Sequence, residues 1–285
     1  MTDILITVLG IFLIIMVWVM LYDSNRFVVQ STVVSDRRIR KHLRAVVIAD
    51  LHNKRYGREN ERLLNEIRAR KPDVILIAGD ILTAKPGKSI QPAISFLEVL
   101  AKEFPVYYGN GNHEHRLKLY PKKYGDMGKQ YWQALHDMGI EPMVNSHVVL
   151  EDCGLAIYGA EIEKVYYKRF KTPKMGEEYM GKILGKADER YYTVLLAHNP
   201  DYFPRYAGWG ADLTLSGHVH GGVVRVPLWG KGLVSPSLKP FPKYDGGIFR
   251  QGQAVMILSR GLGMHTIPVR VFNPGELWVV DFQPE

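Results

Sequence analysis

Ala45-Val46-Val47-Ile48-Ala49-Asp50-Leu51-His52 joins a short, wholly apolar run to two side chains that bind metal ions. The run is too short for a spanning helix, and its Val and Ile content suits a buried strand. The pattern recurs along the chain. Val74 to Ala78 is followed by Gly79-Asp80, Val194 to Ala197 by His198, and Leu213 to Leu215 by Ser216 and then Gly217-His218-Val219-His220. Gly111-Asn112-His113-Glu114 supplies one more cluster. Separate strand ends would deliver all these donors to one place, because a rigid sheet positions the loops at its carboxyl ends while leaving them accessible.

Donor chemistry narrows what the place would hold. Asp, Asn and His offer hard oxygen and borderline nitrogen, a set that suits Mn, Fe, Zn or Co and argues against an iron–sulfur cluster or a Cys-type structural zinc. Asp50, His52, Asp80, Asn112, His198, His218 and His220 are more ligands than one such ion uses. Two divalent metal ions roughly 3.5 to 4 Å apart and bridged by a carboxylate would use them, and such pairs clamp the attacking and leaving oxygens of phosphoryl transfer. A lone His after a strand is more often a satisfied turn or core residue than a ligand. His42, His136, His147 and His265 lack a partner at ligand spacing and are read in that way, whereas five of the ten histidines fall in the ordered pattern.

The amino terminus carries the second signal. Ile4 to Tyr22 is apolar except for Thr7 and Gly10, and its 19 residues suffice to cross a hydrocarbon core as a helix. The start Met1-Thr2-Asp3 and the exit Met20-Leu21-Tyr22-Asp23 lack the basic start and small-residue cleavage site of a signal peptide. Trp18 and Tyr22 suit interfacial anchoring. Arg26, Arg37, Arg38, Arg40, Lys41 and Arg44 follow the span and none precedes it, which predicts a single-pass protein with its catalytic domain on the cytoplasmic side.

These features divide the chain into an anchor over 1–25, a basic linker over 26–43 that is partly extended at Phe27 to Val34, where Val28, Val29, Val33 and Val34 are strand-prone, and one large domain over 44–285, with 46% hydrophobic residues overall to build its core. The net charge of +8 favours anionic partners, either phospholipid headgroups or a phosphorylated substrate. No aromatic-rich RNA motif, basic helix or zinc finger accompanies the charge, which argues against a nucleic-acid module. The single cysteine, Cys153, has no partner for an intrachain disulfide and reads as a small packing residue. Between the donor clusters the pattern predicts helices over Arg58 to Arg70, Ser89 to Lys102 and Gln130 to Met138, and a last strand over Leu277 to Phe282. Alternating strands and helices with a strand-rich end make an α/β protein. Lys164, Tyr166, Tyr167, Lys168, Arg169, Phe170 and Lys171 interleave cations with aromatic faces in the segment 161–190, either as a lid over the site or as a solvated loop.

Taken together, Asp50-Leu51-His52, Gly79-Asp80, Gly111-Asn112-His113-Glu114, His198 and Gly217-His218-Val219-His220 resemble, in order and without a gap, the motifs of the calcineurin-like metallophosphoesterases. The resemblance implies a four-layer α-β-β-α sandwich, preceded here by one transmembrane helix. It further implies that Asp50, His52 and His220 bind one metal, Asn112, His198 and His218 the other, and that Asp80 bridges them, with a bridging hydroxide attacking phosphorus. His113 would then stabilise the transition state or protonate the leaving oxygen. Glu114 would orient His113 or a nearby backbone group, and His115 would line the substrate entrance. Gly221-Gly222, Leu233-Val234-Ser235-Pro236, Ser259-Arg260-Gly261-Leu262-Gly263, Pro268-Val269-Arg270 and Phe272-Asn273-Pro274-Gly275-Glu276 are similar to a bacterial, membrane-associated branch, which usually has a second Pro where Gly275 stands. Some relatives in that branch are associated with pyrophosphate cleavage in UDP-diacylglucosamine, so the implied substrate is phosphorylated and lipid-linked. A soluble phosphodiester, a protein phosphate and a noncatalytic membrane scaffold remain the alternatives, since the same centre serves several ester classes.

Overall fold

In the structure, a computed structural model that describes residues 1–227, 230–235, 238–264 and 268–285, the apolar runs become strands of two six-stranded sheets. The first sheet contains β1 (Phe27–Ser35), β2 (Leu43–Ile48), β3 (Val74–Ala78), β4 (Val106–Gly109) and β5 (Pro142–Met143), completed by β12 (Gly275–Gln283), in the order β1-β12-β2-β3-β4-β5. The second contains β6 (Ser146–Leu150), β7 (Leu155–Ala160), β8 (Tyr192–Ala197), β9 (Leu213–Ser216), β10 (Gly247–Gln251) and β11 (Ala254–Leu258), in the order β10-β11-β9-β8-β7-β6. His265 and Pro236, both singled out from the sequence, lie outside the described residues.

Strands β2, β3, β8 and β9 are buried on both faces, which is why their sequences read as continuous apolar runs rather than as alternation. Val47, Leu76, Val194, Leu196, Leu215 and Ile257 form the core between the sheets, with Cys153 packed at its margin. On its outer face the first sheet is covered by helices Glu61–Ala69, Gln91–Glu103 and Met127–Asp137, and the second by Tyr179–Leu184 and Phe203–Trp209. The result is the expected α-β-β-α sandwich. The first of these helices begins three residues later than the sequence suggests because Glu59 and Asn60 take φ of 50° and 63°. Asn60 turns back to accept a hydrogen bond from the Tyr56 amide at 2.8 Å.

Within the stretch 26–43, the strand-prone part from Phe27 is a full strand of the first sheet. Val28, Val29, Val33 and Val34 belong to β1, which pairs in parallel along the whole of β12, from Phe27 opposite Gly275 to Ser35 opposite Gln283. Without β1 the nine-residue β12 would present an open edge, and its unpaired backbone groups are what recruit this β-branched segment into the sheet. Several basic residues in and just after the stretch 26–43 are engaged too: Arg38 pairs with Asp36 and Asp212, Arg40 with Glu151, and Arg44 with Asp281. Ahead of β1, the helix Thr2–Ser24 is exposed along most of its length and is long and apolar enough to cross a membrane.

Candidate metal centre

The carboxyl ends of β2, β3, β8 and β9, with the helix Asn112–Leu119 that follows β4, converge at one edge of the sandwich. They bring together Asp50, His52 and His220 as one group, Asp80, His198 and His218 as another, and His52, Asp80 and His113 as a third, the donor atoms of each lying within 4.8 Å of one another. Asp50, His52, Asp80, His218 and His220 all hold φ between 50° and 74°. Such left-handed geometry costs non-glycine residues about 1–3 kcal/mol each and persists where the fold needs a side chain aimed in one direction. Gly79, at φ 92°, makes the crossing possible, because a Cβ there would stand 2.5 Å from the Gly111 nitrogen and 2.8 Å from His198 Nδ1.

Backbone carbonyls orient the imidazoles. His52 Nδ1 faces Leu82 O at 3.3 Å, His198 Nδ1 faces Ala78 O at 2.7 Å and His220 Nδ1 faces Gly263 O at 3.2 Å. A proton on each Nδ1 leaves the Nε2 lone pair pointing inward, the arrangement that metal-binding histidines use. Accordingly, the Nε2 atoms of His52 and His220 stand 3.2 Å apart, and His220 Nε2 is 3.2 Å from Asp50 Oδ1. Asp50 Oδ1, Asp80 Oδ2 and His198 Nε2 are buried without a hydrogen-bond partner among the described residues. Although His198 Nε2 lies 3.1 Å from Asp80 Oδ2, the pair is misaligned for a hydrogen bond. Buried carboxylate oxygens left in this way are costly unless a cation meets them.

The electrostatics agree. Burial alone would lower His198, but Asp80 and Asp50 overcome it and hold the ring up to about 10. Burial would raise both carboxylates, yet the histidines around them keep Asp50 and Asp80 well below the usual range. The pocket therefore attracts positive charge strongly, and a divalent ion would displace the proton from His198. Asn112 fits the same reading. Its amide oxygen faces His218 Nδ1 at 2.7 Å, where hydrogen bonding alone would favour the flipped amide, with nitrogen inward. Oxygen inward is the orientation in which both atoms offer lone pairs to one cation.

Residues 43–222 match the family described as calcineurin-like phosphoesterase. The chain belongs to that family. An uncharacterized metallophosphoesterase of Bacillus subtilis, YkuE, is 26% identical over 218 residues, covering 75% of this chain and 68% of that protein. The Escherichia coli phosphodiesterase YaeI is 25% identical over 220 residues, covering 76% and 73%. A zebrafish transmembrane protein with metallophosphoesterase domain is 26% identical over 243 residues, covering 82% of this chain and 52% of that protein, so the chain spans about half of it. As a calcineurin-like phosphoesterase the chain is a hydrolase of phosphoester bonds, and its donor clusters support a centre of two divalent ions.

Within this metallophosphoesterase, Glu114 serves the backbone. It accepts hydrogen bonds from the amides of Asp80 (2.9 Å), Ile81 (2.8 Å) and Gly111 (3.0 Å) and from Tyr108 Oη (2.9 Å), which meets Tyr131 Oη at 2.8 Å. Burial and the neighbouring Asp80 push its carboxyl up to about 7, against the pull of those amides. Glu114→Ala would strand several buried donors beneath Asp80. A loss of about 3–5 kcal/mol in unfolding free energy is expected by urea titration of the metal-free protein, and a loss under 1 kcal/mol would exclude this role.

His115, expected to line the substrate entrance, lies with its Nε2 3.8 Å from Glu161 Oε1 and belongs to none of the three donor groups. Glu161 also accepts from Asn110 and Lys118, a polar cluster that the sequence did not single out, since its members are scattered over three elements. The aromatic segment does overhang the centre. Tyr167 places its ring 5.2 Å from His218 and 6.3 Å from His198, and the Tyr166 carbonyl accepts from Asn199 next to His198. Phe170, at the tip, is exposed. His42 and His136 lie on the surface, and His147 stacks on Tyr158.

Proposed function

We propose that the chain is a membrane-anchored phosphohydrolase in which Asp50, His52 and His220 hold one divalent ion, Asn112, His198 and His218 hold a second, and Asp80 is shared. The observation that carries this reading is the position of Asp80 Oδ2, 3.7 Å from His52 Nε2 and 3.1 Å from His198 Nε2, so that one carboxylate faces both sets of histidines. When bound, the ions supply Lewis acidity to the phosphate and a water of lowered pKa as nucleophile. His113 supplies the hydrogen-bond donor. Its Nδ1 accepts from the Ala84 amide at 2.8 Å, which leaves the proton of the neutral ring on Nε2. Burial holds that ring well below its ordinary pKa, so it acts as a neutral N–H donor to charge developing on phosphate or leaving oxygen.

The substrate we propose is a lipid-linked phosphoester or pyrophosphate, UDP-diacylglucosamine among them. The last residues of the apolar helix hydrogen-bond to the loop 270–273, which in turn holds the backbone of His220, so a spanning helix would keep the centre near the headgroups. The cations that follow the helix support a cytoplasmic side for the domain by the positive-inside rule. Full-length protein loaded with Mn is assayed on UDP-diacylglucosamine in vesicles, on a soluble bis-aryl phosphodiester and on a phosphopeptide. The highest kcat/KM is expected on the lipid. Equal or faster turnover of a soluble substrate would overturn lipid linkage, and two bound ions with no turnover of any substrate would indicate a scaffold.

A further inference from the structure

Asp23 is anomalous where it stands. It carries a negative charge in the last turn of an apolar helix, where the helix dipole disfavours an anion, and it is only 2% exposed. Its side chain is nevertheless fully engaged. Oδ1 pairs with Arg26 at 2.8 Å, and Oδ2 accepts from the Asn273 amide at 3.0 Å. Asn273, fully buried, donates through Nδ2 to the His220 carbonyl at 2.8 Å and also to that of Gly222. Next to Asp23, Ser24 Oγ accepts from the Arg270 amide at 3.2 Å. The Arg270 guanidinium is buried and donates to the carbonyls of Arg260, Gly261 and Gly263 and, through Nη1, of Asn273. Gly263 O is the group that faces His220 Nδ1, and Gly261 packs so closely on Asp50 that a Cβ there would lie 2.6 Å from the Asp50 Cβ.

We propose that Asp23 is a positioning residue for the metal centre: through Asn273 it fixes the backbone of His220, making the last turn of the apolar helix part of the scaffold that aims the ligand. The inference rests on the reading of His220 as a ligand. It gives Arg270 and Asn273 a task, and it accounts for a carboxylate at the foot of an apolar helix, which a passive tether would not need. Partners that orient a ligand typically set metal affinity by about 10–100-fold.

The test uses full-length protein in one detergent and titrates Mn into the metal-free form. Asp23→Ala is expected to weaken the affinity of one of the two ions by about 10-fold or more and to lower kcat at subsaturating Mn with KM little changed. Asp23→Asn, which keeps an acceptor for the Asn273 amide, should recover most of the affinity. Val17→Ala, on an exposed part of the same helix, should behave as wild type. In a His220→Ala background, Asp23→Ala should add nothing, because both changes act on the same ligand. Wild-type Mn affinity in Asp23→Ala, or a full additive loss in the double variant, would overturn the proposal. Should Asp23→Ala fail to fold, Asn273→Asp, which removes the donor to His220 O at little change in volume, takes its place with the same expectations. If His220→Ala itself leaves Mn affinity unchanged, the ligand assignment fails instead, and the two failures are told apart.

Discussion

Asp80→Asn is expected to drop bound metal from two ions per chain towards one and to cut turnover by about 10²- to 10⁴-fold, the equivalent of several kcal/mol of lost charge stabilisation. The substitution is nearly isosteric and keeps an oxygen for the His113 amide, which Asp80 Oδ1 accepts at 2.7 Å. Folding should therefore survive. In the metal-free protein the variant should be less stable than wild type near neutral pH, because the histidines that hold the Asp80 carboxyl well below its usual range, His198 first among them, lose a charge they pair with. Elemental analysis beside kinetics and urea unfolding in chelator separates the effects. The pH dependence adds an independent check with a definite sign. The folded pKa of His198 is raised to about 10 from 6.5, so its contribution to the metal-free fold is complete below about 6.5 and is lost as pH rises through 10. Without the Asp80 charge that window should shrink, and unfolding of the variant between pH 7 and 10 should depend less on pH. Two ions per chain and wild-type turnover in the pure variant would end the dinuclear reading.

Much of this site was legible because its donors lie where a period changes. Asp50, Asp80 and His198 each interrupt or close an apolar run, and a buried strand has no other reason to end on a group that is costly to bury. The sandwich followed from the same runs, since strands buried on both faces need a layer on each side. What was not legible depends on contacts between distant segments. The valines of β1 read as strand-prone, but its place in the sheet was not legible because its partner β12 is nearly 250 positions away, and nothing local reveals that β12 would otherwise be an edge. Glu114 was expected to orient His113 or a nearby backbone group. It does the latter, but Tyr108 and Tyr131 beneath it are ordinary aromatic residues in the sequence. That burial holds His113 well below its ordinary pKa likewise depends on the folded surroundings and not on its sequence neighbours. Asp23 carried a readable signal, a charge at the end of an apolar helix, whose meaning depended on Asn273 and so on the folded chain.

The neutral His113 makes the last prediction specific. His113→Ala should retain two ions, since Asp50, His52 and His220 form one donor group and Asp80, His198 and His218 another without it. Its kcat should fall by about 10²- to 10³-fold, the loss typical of one aimed donor in a water-poor site. His113 stands in a group with His52 and Asp80, however, and its ring meets that of His52 edge-on at 4.8 Å, so its distance from the ions does not by itself distinguish donor from ligand. Metal content decides between them: loss of one ion in His113→Ala would make the residue a ligand and remove the donor role. With both ions retained, the leaving group locates the hydrogen bond. A donor on the leaving oxygen matters most when that oxygen leaves as a poorly stabilised alkoxide, and least for an acidic phenol that carries its own charge. The deficit should therefore be larger for an alkyl ester than for a nitrophenyl ester of the same phosphate. Equal deficits would move the Nε2–H from the leaving oxygen to a nonbridging oxygen, whose charge is present whichever group departs.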